Sequence, residues 1–117
     1  MIKFFTYGTF RRGECRNDIL TKFGSSFIKQ TTTAPEYKLF NLGSFPGMIE
    51  NGDVSVTGEL YYITEAALAM FDMIESHPSF FCRKEINLSD GTTAISYLYP
   101  HDVDDFRHIE SGDWANR

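Results

Sequence analysis

The chain has 117 residues, 42% of them hydrophobic and 15% aromatic, which suits one domain with a real core. Its formal net charge of -5 excludes a broad nucleic-acid surface, since a phosphate backbone rewards a basic face and only Arg11, Arg12 and Arg16 cluster. No stretch reaches the length of a membrane-spanning helix, about 18 apolar residues.

In chain order, Ile2 to Tyr7 reads as a strand that breaks suddenly into Gly8-Thr9 and then Arg11-Arg12-Gly13. A plain turn explains that break, and so does a small site for an anion. Arg11 and Arg12 read as a solvated loop. Asn17 to Phe23 predicts one or two helical turns, capped by Asn17 or Asp18. Ser26 to Thr33 is β-prone, and the short run Tyr37 to Leu42 is a candidate to pair with it. Gly43-Ser44-Phe45-Pro46-Gly47 is a loop by turn chemistry, and Asn51-Gly52-Asp53 is a second turn. Val54 to Ile63 alternates as a long strand, with Gly58 marking a bulge or a close backbone approach.

Thr64 caps a predicted helix over Glu65 to Glu75, and Pro78 bars its continuation. Phe81 to Leu88 and Thr93 to Tyr99 flank Ser89-Asp90-Gly91-Thr92, a hairpin signal. The polar tail, His101 to Arg117, carries Phe106, Ile109 and Trp114 and is expected to dock in part on the body. There is no repeat and no linker, so residues 1–117 read as one domain. The expected fold is α+β: a small, curved, mostly antiparallel β-barrel with one main α-helix.

Cys15 and Cys82 lack metal-ligand spacing, and His77, His101 and His108 are scattered, so no metal site is indicated. Both cysteines read as buried thiols in a reducing compartment, with a Cys82–His77 nucleophile pair as the lesser reading. The N-terminus lacks the features of a signal peptide, and a cytoplasmic location is expected.

Glu75 stands out on the helical wheel. It falls between Leu68 and Phe71 on the apolar stripe, at the negative end of the helix dipole. Burial and the dipole both favour the neutral acid and raise its pKa, as a general acid/base requires. A structural ion pair to Arg83 or Lys84 is the competing reading.

Six short segments then resemble one family, in order along nearly the whole chain. Tyr7-Gly8-Thr9-Phe10 resembles the Tyr-Gly-Ser/Thr-Leu signature of the γ-glutamylcyclotransferase-like superfamily. Leu42-Gly43-Ser44-Phe45-Pro46-Gly47, Gly58-Glu59-Leu60-Tyr61, Phe71-Asp72-Met73-Ile74-Glu75, Phe81-Cys82-Arg83 and Ser111-Gly112-Asp113-Trp114 resemble its further motifs. Two positions depart: Phe10 stands for the family's Leu, and Phe81 for its Tyr, which removes a hydroxyl.

The short length and the Tyr-Gly-Thr opening favour the γ-glutamylamine cyclotransferase branch. The resemblance implies an enzyme that cyclises a γ-glutamyl amide to 5-oxoproline, releasing an amine without metal or cofactor. It implies a cradle for the substrate carboxylate at Tyr7, Gly8, Thr9 and Phe10, with Glu75 as the catalytic base. Phe45, Pro46 and Phe81 are expected to line the pocket, and Glu59 to be structural or to line it as well. The Gly43–Gly47 loop and the tail are expected to meet the leaving amine. A non-catalytic small-molecule binding module of the same fold is the alternative, and a thiol enzyme through Cys82 a third reading.

Overall fold

The opening run Ile2–Thr6 (β1) alternates large side chains to opposite faces, and both faces are covered. Phe4 packs under helices, while Phe5 packs against a second sheet. A strand buried on both sides reads as a nearly unbroken apolar run, which is what the sequence shows.

The computed structural model describes residues 1–117. After β1 come Asn17–Lys22 (α1), Ser26–Thr32 (β2), Tyr37–Asn41 (β3), Pro46–Glu50 (β4), Thr57–Ile63 (β5), Glu65–Ile74 (α2), Cys82–Asn87 (β6), Thr93–Leu98 (β7) and Arg107–His108 (β8). A 3-10 turn, Trp114–Asn116, ends the chain. One sheet has five strands in the order β2-β5-β1-β7-β6, and the other has three in the order β4-β3-β8. All pairs are antiparallel except β1 with β7, which run parallel with Phe4 opposite Ile95.

The layers follow from the two apolar clusters. Phe4, Leu20, Tyr61, Ile63, Ala67 and Phe71 join the helices to one face of the large sheet. Phe5, Leu60 and Ile86 on the other face meet Leu39 and Met48 of the small sheet, with Ile109 and Trp114 from the tail. The fold is α+β, as expected, but no closed barrel forms. The outer edges of the large sheet touch at one end only, through a single bridge between Thr33 and Leu88. Around that bridge the Ala34 N–H donates to the Asn87 carbonyl at 2.9 Å and the Ser89 N–H to the Thr32 carbonyl at 3.1 Å.

Several local expectations change in detail. The strand Tyr37–Asn41 pairs with β4 and β8 rather than with β2. Its buried Tyr37 and Leu39 need the small sheet's core, whereas β2 is mostly exposed and takes an edge beside β5. Pro46 and Gly47 belong to a strand, not to the preceding loop. Val54 leaves the predicted long strand for an isolated bridge with Tyr37. The first helix is capped at Arg16 without a side-chain bond, because the Asn17 amide donates to the Phe10 carbonyl at 2.9 Å. Cys15 is exposed in the loop before α1 and Cys82 is half-buried at the start of β6, so neither is a core thiol. No helix is long and apolar enough to cross a membrane.

Other expectations stand. The Thr64 hydroxyl accepts from the Ala67 N–H at 3.1 Å and starts α2. Asp90 accepts from the Thr92 N–H and hydroxyl, which fixes the turn of the β6–β7 hairpin and holds the Asp90 carboxyl down at about 2. The tail docks through Ile109 and Trp114.

Gly58 is the close approach. A Cβ there would lie 2.4 Å from the Thr6 carbonyl oxygen and 2.5 Å from the Phe5 ring. The bulge of this region lies across the ladder, in β2 between Phe27 and Lys29. Gly58→Ala is expected to cost about 1–3 kcal/mol, the usual range for overpacking. The urea midpoint measures this, and an unshifted midpoint would show that the strands do not close on that glycine.

Candidate active site

β1 lies at the centre of the large sheet and delivers the chain directly into Tyr7–Phe10. Tyr7 is buried, and its hydroxyl donates to the Tyr97 carbonyl at 2.5 Å while accepting from the Met48 N–H at 3.2 Å. Burial pushes the Tyr7 hydroxyl pKa up, so it stays protonated. The next residue meets β4 face to face: a Cβ on Gly8 would fall 2.7 Å from Pro46 Cγ. Glycine is required there by the proline ring rather than by a left-handed backbone.

Three successive carbonyls of the loop are engaged. The Gly8 carbonyl accepts from the Arg11 N–H at 3.0 Å, Thr9 from the Arg16 N–H at 2.8 Å, and Phe10 from the Asn17 side chain at 2.9 Å. The N–H groups of Gly8, Thr9 and Phe10 find no acceptor in the chain. Three successive residues thus have bound carbonyls and free donors, an arrangement suited to an anion. The Phe10 ring packs on Phe71 at 5.0 Å, which ties the loop to α2.

Glu75 closes α2 as its C-cap, with its N–H bonded to the Phe71 carbonyl at 2.8 Å. Its side chain is 12% exposed, and Arg16, 38% exposed, lies 3.7 Å away. Burial pushes the Glu75 carboxyl up to about 7, and the Arg16 guanidinium draws it back. The ion-pair partners considered from sequence are occupied elsewhere: Arg83 binds Asp72 at 2.5 Å, and Lys84 binds Glu50 at 2.8 Å.

One cavity brings together Tyr7, Gly8, Thr9, Phe10, Phe45, Pro46, Glu75 and Phe81. Glu59 stays outside it. That carboxylate accepts from the Arg12 N–H at 2.9 Å and the Tyr61 hydroxyl at 2.9 Å, a structural role. Burial and then Glu59 push the Tyr61 hydroxyl up to about 12. The two loop arginines are not simply solvated. Arg11 is buried and bound to Asp113 at 2.7 Å, because the tail folds back over it, and Arg12 lies over the Phe27 ring. Cys82 does not line the cavity, and His77 Nδ1 accepts from the Arg83 N–H, so no thiol–imidazole pair forms.

Sequence reasoning missed Arg16, Phe80 and Tyr97 as cavity residues. The basic cluster pointed to Arg16 only weakly. Tyr97 had a signal in the β7 alternation. Its hydroxyl donates to Asp72 at 2.6 Å, and burial followed by that carboxylate pushes its pKa up.

Residues 4–116 match the family model described as Gamma-glutamyl cyclotransferase, AIG2-like. A Vibrio cholerae protein with a provisional gamma-glutamylcyclotransferase name is 40% identical over 113 residues, covering 97% of this chain and 95% of that protein. The gamma-glutamylcyclotransferase family protein YtfP of Escherichia coli is 31% identical over 116 residues, covering 99% of this chain and 98% of that one. The crystal structure of an AIG2-like protein from Mus musculus superposes with a TM-score of 0.83 at 23% identity, covering 97% of this chain and 88% of the other, a likeness of fold. A sequence match that runs almost from end to end, and at this identity, means that the chain belongs to the gamma-glutamyl cyclotransferase, AIG2-like family.

Proposed function

We propose that the protein cyclises a γ-glutamyl amide to 5-oxoproline and a free amine. One observation carries the reading: a buried carboxyl with a pKa near 7 shares a cavity with a loop of free backbone donors. The donors at Gly8, Thr9 and Phe10 hold the substrate's α-carboxylate. That fixes the γ-glutamyl chain in a folded pose and supplies the entropic part of the rate.

The α-amine then attacks the γ-carbonyl carbon of the same molecule. A free α-amino group titrates at about 7.7–8.0, so most of it is ammonium at neutral pH. Glu75 as carboxylate takes that proton, and a new bond forms between nitrogen and the γ-carbon. As the amide C–N bond breaks, Glu75 passes that proton to the leaving nitrogen and takes the second proton that the attacking nitrogen must shed, which departs with the released amine as its ammonium. A carboxyl near 7 is matched to an ammonium near 8, so neither transfer runs far uphill. The arginine keeps part of the carboxyl ionised despite its burial.

The alternative is a binding module that retains the cavity without turnover. The cavity wall at Phe81, without the hydroxyl of the family pattern, is the observation on its side. A panel of γ-glutamyl amides assayed for 5-oxoproline separates the two readings. Release from at least one is expected, and binding without release would favour the module.

Glu75→Gln keeps size and hydrogen bonding but cannot accept the ammonium proton. Turnover is expected to fall about 10²–10⁴-fold with KM changed far less. A folded variant of near wild-type rate would remove Glu75 as the base. The same variant tests the burial. The folded-state pKa of about 7 lies above the unfolded value of about 4.3, so the cost of ionising Glu75 appears as pH rises through that window. At pH 8 the Gln variant is expected to be more stable by up to about 4 kcal/mol, and at pH 4 nearly equal to wild type. Urea titration at the two pH values reads this.

With carboxylate as the active form, wild-type kcat/KM is expected to lose activity below about pH 7 as Glu75 protonates. A flat profile between pH 5 and 8 would contradict that assignment.

Gly8→Val places a branched side chain where the Pro46 ring sits. KM is expected to rise at least about tenfold in a folded protein, because the loop must shift to accommodate it. Unchanged KM and turnover would remove the cradle.

A further inference from the structure

One wall of the cavity is aromatic, and neither the carboxylate cradle nor Glu75 uses it. Phe45, Phe80 and Phe81 all line the cavity. Their ring centroids lie 5.9 Å (Phe45–Phe80), 6.0 Å (Phe45–Phe81) and 5.2 Å (Phe80–Phe81) apart, all edge to face. Tyr99 braces the group at 5.7 Å from Phe80 and 5.8 Å from Phe81. Phe80 is 40% exposed although it lines the cavity, so it stands where the cavity meets solvent.

The charges around this wall do not favour a cation. Arg16 and Glu75 are the charged residues lining the cavity, and they pair with each other. Asp72, the nearest further carboxylate on α2, is held by Arg83 and Tyr97. His101 lies beside Phe80 with its ring 6.3 Å away and adds no negative charge. An amine carrying a second ammonium would find no free carboxylate here. A flat apolar group would meet the surface of three rings that brace one another edge to face.

We propose that this wall receives the leaving amine and that its substituent is an aromatic ring on a short alkyl arm, with Phe80 as the residue that sets the preference. The inference rests on the cyclisation reading. With the γ-glutamyl carboxylate at Gly8–Phe10 and the leaving nitrogen at Glu75, the substituent continues along the remaining wall to the mouth. Burying a ring there removes apolar surface from water on both partners.

The test compares 5-oxoproline release from three γ-glutamyl amides, those of methylamine, 2-phenylethylamine and butane-1,4-diamine. The phenylethyl amide is expected to have kcat/KM at least about tenfold above each of the others. Phe80→Ala is expected to shrink its advantage over the methyl amide about tenfold, and Phe80→Tyr to keep it. Circular dichroism confirms that both variants are folded. Equal kcat/KM for the three amides, or a preference for the aminobutyl amide, would overturn the aromatic assignment while leaving cyclisation intact. Release from none of the three would count against cyclisation itself. Calorimetric titration of the phenylethyl and aminobutyl amides then decides the wall: tighter phenylethyl binding, lost in Phe80→Ala, supports it, and equal binding overturns it.

Discussion

The Tyr7 hydroxyl is where the two sheets are pinned together. It donates to the carbonyl of Tyr97 in the large sheet and accepts from the N–H of Met48 in the small one. A buried hydroxyl that satisfies a backbone group on each side fixes their separation, because losing either bond strands a buried polar group. The following residue then has only one place to go. Gly8 lies against the Pro46 ring, which the same pin holds in position. Gly8, Thr9, Phe10, the aromatic wall and Glu75 at the helix end all line the cavity beside this contact. The Tyr7 ring is therefore a strut of the site, and the backbone after it is the part that meets substrate in the proposed reaction.

The second constraint is the awkward placement of Glu75. A carboxylate at a helix C-terminus meets the negative end of the dipole, and burial removes the water that would offset it. One partly exposed arginine at 3.7 Å is a modest counterweight. A fold selecting only for stability would place a neutral side chain there. Its presence, together with the neighbouring donors, is the physical content of the proposed role.

Legibility in the sequence follows how local each cause is. Thr64, Asp90-Gly91 and the Ile2 to Tyr7 run announce themselves through neighbours in the chain, and α2, the hairpin and β1 follow. The partner of Tyr37–Asn41 is not local. It depends on which apolar face the small sheet offers, and a single strand does not carry that information. The parallel contact of β1 with β7 is hidden for the same reason. At the site, Tyr7–Phe10, Phe45, Pro46, Glu75 and Phe81, each within a motif, meet in one cavity. Arg16 and Phe80 lie outside the matched segments and take their positions from α1 and the turn before β6, so only the assembled structure brings them in. Arg11 looked solvated because its partner, Asp113, is at the other end of the chain.

That last separation has a kinetic meaning. β1 takes the central place in the large sheet, yet its ladder partners are made after it, at residues 57–63 and 93–98, and its exit loop is clamped by the tail. At about 5–20 residues per second, the Phe4-Phe5 run waits roughly 5–20 s on the ribosome before its last neighbour exists. Contacts so distant in sequence also slow the closing step once synthesis ends. Nascent chains of this protein therefore pass through a long interval with their stickiest segment uncovered, and truncation before β7 leaves β1 without one of its two ladder partners.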